Sequence, residues 1–179
     1  MIRVQRQDFD PGAELAALEA SGAGAVASFT GLVRPDDGVT ALTLDHYPGM
    51  TEAALTALAD EARVRWPLTA LTLIHRVGRL EAGARIVFVG TASSHRAAAL
   101  EACAFLIDRL KTDAPFWKRE HLAGEDRWVE AKGTDDAAAE KWRETRPHTP
   151  INQKGPHVPQ PGSLGIRIVR ISGLSPSTM

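Results

Sequence analysis

The stretch RIVFVGTASSHRAAALEACAFLIDRLK, residues 85–111, decides the fold of this chain. Its first seven residues are mostly apolar and β-branched, which predicts a buried strand over 85–91. The remainder predicts the longest helix of the protein, over 94–111, because apolar residues recur there at helical spacing: Ala99, Cys103, Leu106, Ile107 and Leu110. A buried strand followed by an amphipathic helix indicates a sheet covered by helices.

Strands and helices alternate on both sides of this stretch. The patterns predict strands over 2–5, 24–34, 39–47 and 70–77, and helices over 13–20 and 50–65. The turn residues 35–38 predict that the second and third strands form a hairpin, and Gly78 and Gly83 predict a turn that joins 70–77 to 85–91. Hairpins mixed with long helices predict an α+β sandwich and not a parallel doubly wound sheet.

The chain divides near residue 145. Residues 1–144 suit one globular domain in length and in apolar periodicity. Residues 145–179 hold six of the eleven prolines, Pro147, Pro150, Pro156, Pro159, Pro161 and Pro176, and we expect a mostly disordered tail. Within that tail, only 166–171 has an alternation that would suit a short edge strand or a contact segment.

Composition and charge argue against several classes of protein. The net charge of −1 gives no reason to expect nucleic acid as a partner, and no run approaches the roughly 18 apolar residues of a membrane span. The N-terminus has no apolar signal region, so we expect a cytoplasmic protein. One cysteine and six scattered histidines predict neither a disulfide nor a metal site. Cys103 lies on the apolar helix stripe, and inert packing is favoured over a persulfide carrier.

The segment KTDAPFWKRE, residues 111–120, is the first candidate for chemistry. Pro115 ends the helix that Lys111 closes, and an aromatic pair separates Lys111 from Lys118. Amines beside other cations and apolar rings commonly have a lowered pKa and become available as nucleophiles or proton carriers. The alternative is a solvated basic turn.

Two further places suit an anion. Ser94 is predicted to cap the long helix, where His95 and Arg96 add cationic donors to the free amide groups, although a plain cap would look the same. Arg34 follows a strand in which Gly31 permits either a close approach to a ligand or a β-bulge.

Six blocks of sequence together resemble the large, catalytic subunit of molybdopterin synthase, over about residues 1–143. The blocks keep the order and spacing of that family and lie at 29–34, 44–52, 74–78, 93–96, 110–112 and 114–120. The resemblance implies an α/β hammerhead fold and a sulfurtransferase of molybdenum cofactor biosynthesis that has no cofactor of its own.

It also implies partners and a substrate. Two large subunits would form a homodimer, and two small ubiquitin-like subunits would complete a heterotetramer. The C-terminal Gly-Gly of each small subunit would bring sulfur as a thiocarboxylate to cyclic pyranopterin monophosphate, and two transfers would form the dithiolene. Cys103 would then have no part in the chemistry.

Site residues follow from the same resemblance. Lys111 would be the main catalytic amine, and Lys118 would stabilise negative charge. The substrate-binding positions would be Leu32, Val33, Arg34, His95, Arg96, Arg119, Glu120 and Lys132. Lys132 stands where the family often has arginine, so the charge is kept while bidentate geometry is lost.

Two other functions stay open. One is a non-catalytic module that binds the ubiquitin-like partner, although the retained lysines argue against it. The other is a phosphate-ester binder or hydrolase built on the helix start at Ser94. The sequence has no glycine-rich phosphate loop or carboxylate cluster to support that second function.

Overall fold

A computed structural model describes residues 1–122, 125–129 and 133–144 of the chain. Its elements in chain order are β1 Ile2–Gln5, α1 Pro11–Glu19, β2 Ala25–Leu32, a 3₁₀ helix Asp36–Gly38, β3 Val39–His46, α2 Met50–Arg65, β4 Leu68–Arg76, β5 Gly78–Glu81, β6 Arg85–Ser93, α3 Arg96–Asp113, β7 Phe116–Leu122, β8 Asp126–Val129 and α4 Gly133–Glu144. This mixture confirms the predicted α+β class. The predicted tail, 145–179, lies outside the described residues.

The first sheet carries the main core and has the strand order β1-β4-β6-β2. β1 and β4 run parallel, and the other neighbours run antiparallel, including the predicted pair β4 and β6. Phe105 and Leu106 of α3 are fully buried against Leu73 and Val89 of this sheet. Burial of such side chains contributes about 1.5–3 kcal/mol each, so packing holds α3 to the sheet.

The second sheet has the order β5-β3-β7-β8 and is antiparallel throughout. It corrects the predicted hairpin of 24–34 with 39–47, because β2 pairs with β6 while β3 pairs with β5 and β7. The 3₁₀ turn, with Asp37 at φ 56° and Gly38 at φ 78°, carries the chain from one sheet to the other.

The predicted turn over 78–83 is also partly a strand. β5 occupies Gly78–Glu81 and pairs with β3, and Leu80 completes a small separate core with Val33, Val39 and Leu44. Burial of Leu80 in this small core favours the crossing of the chain to the second sheet between β4 and β6.

Besides β5, three further elements were not predicted from sequence: β7, β8 and α4. β7 begins at Phe116, in the segment 111–120 that is the first candidate for chemistry and for which a solvated basic turn was the alternative. α4 is held by Trp142, whose ring contacts Trp66 and Phe105 at centroid distances of 5.9 and 5.6 Å. The Trp142 indole N–H also donates to Asp108 at 2.8 Å. Among the described residues, none of the helices combines the length and apolarity that a membrane crossing requires.

Candidate functional site

Lys118 lies on the side of β7 that faces the first sheet. Side chains alternate along a strand, so Phe116 and Lys118 share one face. Phe116 stacks on His75 of β4, and Lys118 pairs across the sheet with Leu44, which is fully buried. The half-buried Lys118 therefore emerges from the inner face of the second sheet, beside β4.

His75 is a neutral imidazole in this place. It is 6% exposed, and its ring lies 3.8 Å from that of Phe116 at an angle of 15°. Burial, opposed by the hydrogen bond with Arg76 and aided by the charges of Lys118 and His46, lowers the pKa of His75 to about 4. The Arg76 carbonyl accepts that bond at 2.9 Å, so Nδ1 carries the proton of the neutral ring.

His46 lies beside the same ring pair, because it is the cross-strand neighbour of Phe116. Its Nε2 is 3.8 Å from Oε1 of Glu52, and Oε2 of the same carboxylate accepts a hydrogen bond from the Gly49 amide at 2.6 Å. Sequence reasoning did not select His46 or His75 as site residues. Their presence in the blocks 44–52 and 74–78 was the signal available for finding them.

Lys111 occupies the last turn of α3, which ends two residues later at Asp113. Ala114 and Pro115 then connect the helix to β7, and the Phe116 amide donates to the Ala114 carbonyl at 2.9 Å. The two candidate lysines therefore lie on consecutive elements joined by two residues, Lys111 exposed and Lys118 half-buried. A cation is favoured at the C-terminal end of a helix.

The other candidate residues of β7 divide between its two faces. Arg119 alternates to the face opposite Lys118, where its guanidinium lies 5.5 Å from the Trp128 ring and its Nη1 lies 3.7 Å from Asp126. The Nε of Arg119 is buried and has no hydrogen-bond partner among the residues that the structure describes. Glu120 accepts hydrogen bonds from Arg127 of β8 at 2.6 and 3.1 Å.

The segment 32–34 presents its outer residues to solvent and buries its middle one. Leu32 is 52% exposed and Arg34 is exposed with Nη1 at 3.2 Å from Asp36. Val33 packs into the small core, and its backbone bonds with Ala84 and Gly83. Only Leu32 and Arg34 thus offer side chains to a ligand here.

Gly31 marks a β-bulge, since the β2–β6 register shifts between Gly31 and Leu32. A Cβ at Gly31 would meet Cγ1 of Val87 at 2.7 Å, so close packing across the sheet also requires glycine there. The bulge precedes Arg34 and bends the chain away from the first sheet.

The structure corrects the predicted cap of the long helix. The N-cap is His95, not Ser94, and the His95 amide donates to the Ser93 hydroxyl at 3.2 Å. His95 and Arg96 are exposed at this helix start. Fifteen residue-to-residue steps lead from Arg96 to Lys111 along one continuous helix, which corresponds to about 22 Å. A single chain therefore holds these two candidate groups far apart.

Cys103 is buried, as predicted. Burial raises the pKa of its thiol to about 11, and its Sγ lies 3.9 Å from the Val89 carbonyl oxygen. The described residues contain no group of three or more histidine, cysteine, aspartate or glutamate side chains arranged to hold a metal. Lys132 lies outside the described residues.

Comparisons with known proteins agree with one another. A family model described as MoaE protein matches residues 4–113. The molybdopterin synthase catalytic subunit of Pseudomonas aeruginosa is 57% identical over 148 residues, which cover 80% of this chain and 99% of the relative. The molybdopterin synthase catalytic subunit of Escherichia coli is 54% identical over 145 residues, covering 79% of this chain and 97% of the relative.

Solved structures have the same fold. A molybdopterin biosynthesis MoaE protein from Burkholderia ambifaria gives a TM-score of 0.69 at 51% identity, covering 80% of this chain and 97% of that one. A complex of subunits 1 and 2 of the molybdopterin-converting factor from Helicobacter pylori gives a TM-score of 0.64 at 21% identity, covering 73% and 91%, and shows the fold alone. The family match and the identities establish that this chain belongs to the MoaE family, whose curated members are named molybdopterin synthase catalytic subunits.

Proposed function

We propose that this protein is a sulfurtransferase, the catalytic subunit of a molybdopterin synthase, and that it acts in molybdenum cofactor biosynthesis. One observation carries the proposal: Lys111 and Lys118 lie on consecutive elements of a chain 57% identical to a relative named as such a subunit. The sulfur donor is the C-terminal thiocarboxylate of a small ubiquitin-like partner, and the acceptor is cyclic pyranopterin monophosphate. The reaction would take place in the cytoplasm.

Each sulfur transfer forms a C–S bond to the pterin and breaks a C–O bond there, before the acyl C–S bond is hydrolysed. The thiocarboxylate sulfur attacks a side-chain carbon of the pterin and forms the C–S bond, while an oxygen substituent leaves that carbon and takes up a proton. Water then attacks the acyl carbon, the acyl C–S bond breaks, and the partner leaves as a carboxylate. In this scheme Lys111 moves protons to and from the reacting atoms and is the amine that an amide with the partner's C-terminus would use, while the Lys118 ammonium stabilises negative charge on the acyl oxygen.

Cations at four positions would bind the cyclic phosphate and the pterin: Arg34, His95, Arg96 and Arg119. Arginine suits this task because its planar fork of donors matches phosphate oxygens. The buried Nε of Arg119, which has no hydrogen-bond partner in the described part of the chain, supports a role in binding. Leu32 and Glu120 would line the same pocket, whereas Val33, predicted to do so, is buried in the small core and would only hold Leu32 and Arg34 in place. Lys132 remains a predicted ligand.

The length of α3 supports a site shared between two copies of the chain. Arg96 and Lys111 are about 22 Å apart on one helix, and one pterin phosphate cannot contact both ends. We therefore infer a homodimer in which His95 and Arg96 of one protomer complete a pocket built around Lys111 and Lys118 of its partner. The small subunits would bind outside this dimer and insert only their C-terminal tails.

The experiment is reconstitution with a thiocarboxylated small subunit and the cyclic pterin, followed by measurement of the dithiolene product. Lys111→Ala should lower turnover at least about 100-fold at saturating partner, because proton transfer typically contributes that much. Lys118→Ala should lower it by a similar or smaller factor. Lys141→Ala is the matched control, since Lys141 is an exposed lysine on α4 that pairs with Asp108.

Each outcome separates the candidate functions. Near wild-type turnover by Lys111→Ala would remove the catalytic assignment. Tight binding of the small subunit by the wild-type chain with no product would instead support a non-catalytic module. Hydrolysis of the cyclic phosphate without sulfur transfer would support a phosphate-ester hydrolase.

A further inference from the structure

The side chains of His75, His46 and Lys118 form a cluster around Phe116 where the two sheets meet. His75 of β4 stacks on its ring, and His46 of β3 is its cross-strand neighbour. Lys118 lies two residues farther along the same face of β7, and its charge acts on His75. The cluster adjoins a lysine of the proposed site, yet neither histidine has a part in the chemistry described above.

His75 is fixed by two contacts of different kinds. The Arg76 carbonyl holds Nδ1 in the plane of the ring at 2.9 Å, and Phe116 covers one face of the ring at 3.8 Å. Together these contacts leave the imidazole little rotational freedom. Because β4 belongs to the first sheet and β7 to the second, the stacked pair joins the two sheets beside Lys118.

Other contacts at the start of β7 involve its own connecting loop and α2. The Phe116 amide bonds to Ala114, and the Thr51 hydroxyl reaches the Pro115 carbonyl at 3.4 Å, at the outer limit of a hydrogen bond. The ring pair is a close contact between this strand start and the first sheet. A strand displaced by even 1 Å would move Lys118 enough to slow a reaction strongly.

We propose that His75 is a positioning residue for Lys118: its neutral ring, stacked on Phe116, holds the start of β7 against β4 and sets the place of the Lys118 amine. Only the expected effect on turnover rests on the proposed sulfur transfer, because the position of Lys118 can be measured without any reaction.

Electrostatics agree with this role. Burial and the charge of Lys118 both keep the pKa of His75 low, so the ring is neutral at pH 7. Interaction between two titrating groups is reciprocal, and a neutral His75 adds no positive charge next to the Lys118 ammonium. A protonated histidine in the same place would repel it.

The first experiment observes Lys118 directly. Reductive methylation with ¹³C-formaldehyde keeps the lysine charge and gives each lysine an NMR signal, and Lys118→Arg identifies the Lys118 signal by its loss. In the wild type this signal should be separated from that of exposed Lys141 by the nearby rings. His75→Leu should remove at least about half of the separation, while His75→Phe, which keeps a ring to stack, should preserve most of it.

A double-mutant cycle separates positioning from general loss of packing. Phe116→Leu should move the Lys118 signal as His75→Leu does, and the double variant should move it little further, because both remove the same contact. If His75→Leu does not fold, Phe116→Leu alone still tests the stacked contact. Coincident Lys118 and Lys141 signals in the wild type, an unmoved signal in either folded leucine variant, or additive effects would overturn the proposal.

Turnover provides the second readout. His75→Leu should lower kcat at least about tenfold with KM for the pterin within about twofold, and His75→Phe should recover most of the loss. If the wild-type protein forms no dithiolene, the proposed function fails while the NMR arm still tests the positioning. A moved Lys118 signal with unchanged kcat would overturn the claim that this position matters for the reaction.

Discussion

His75 shows how one buried side chain makes folding depend on pH. Its folded-state pKa is about 4, below the ordinary value of 6.5, so the unfolded chain binds this proton more readily. The stabilisation is complete above pH 6.5 and is lost as pH falls towards 4, by about 3 kcal/mol in all. Urea unfolding between pH 4 and 7 should therefore show a shallower pH dependence for His75→Phe than for wild type.

The control for that measurement is His95→Gln, because His95 is exposed at the start of α3. Its pH dependence should follow that of the wild type. Parallel curves for wild type and His75→Phe would mean that the His75 proton is not linked to folding.

Cys103 should be chemically silent in the folded protein. Burial raises the pKa of its thiol to about 11, so little thiolate exists at pH 8 and the sulfur is shielded from reagents. Iodoacetamide should label it only after denaturation. Cys103→Ala should form dithiolene at the wild-type rate, since the proposed sulfur arrives on the partner, and a large loss of turnover in a folded variant would contradict this.

At the residue scale, the sequence shows which side chains carry charge but not where each one points. Arg34 was selected as an anion ligand, yet its neighbour Asp36 was not recognised as an ion-pair partner at 3.2 Å. Ser94 matched the chemistry of a cap, whereas the N-cap is His95, whose amide donates to the Ser93 hydroxyl. Such differences of one residue depend on tertiary packing, because Ser93 also donates to the Pro67 carbonyl.

At the scale of elements, α4 shows how much one buried aromatic side chain, Trp142, should contribute to stability. Trp142 packs edge-on to Trp66 and Phe105 and donates to Asp108. Trp142→Ala should lower the free energy of unfolding by about 3–5 kcal/mol, as for other large buried aromatic residues. Leu100→Ala, at an exposed position of α3, should change it by less than about 0.5 kcal/mol in the same denaturation experiment. Equal effects of the two substitutions would show that α4 is not docked through Trp142.

Removal of the predicted tail is a second test at the scale of elements. A chain shortened to residues 1–145 keeps all of α4 and loses the proline-rich segment. We expect its melting temperature and its affinity for the small subunit to stay close to those of the full chain. A marked loss of stability would show that residues 166–171 contribute to the fold.

Strands and helices were predictable because their signals are local. Alternation and helical spacing located β1, β2, β3, β4, β6 and the helices α1, α2 and α3 to within a few residues. Strand partners were not predictable in the same way, because β2 and β3 are adjacent in sequence yet belong to different sheets. β5 and β8 have four residues each, too few for a clear pattern, and β7 reads FWKREHL, with mostly polar residues.

At the scale of the whole molecule, the length of α3 decides whether one chain can form the proposed site. The sequence predicted that this helix separates His95 and Arg96 from Lys111, and the structure confirms one unbroken helix from Arg96 to Asp113. The position of the second protomer is not encoded in any local pattern, so the shared site is an inference from distance. It predicts that the active unit has two copies of this chain.

Mixing two inactive variants tests the shared site. If Lys111 and Arg96 of one pocket come from different protomers, a heterodimer of Lys111→Ala and Arg96→Ala has one pocket with both defects and one pocket intact. Complete subunit exchange makes half of the dimers heterodimers, so about a quarter of wild-type activity should return. The matched control mixes Lys111→Ala with Lys118→Ala, whose defects lie on the same side of every pocket. That mixture should show no more than the mean activity of the two variants, because no heterodimer pocket contains both lysines. Absence of recovery in the first mixture despite demonstrated exchange, or full activity of a monomer, would exclude the shared site.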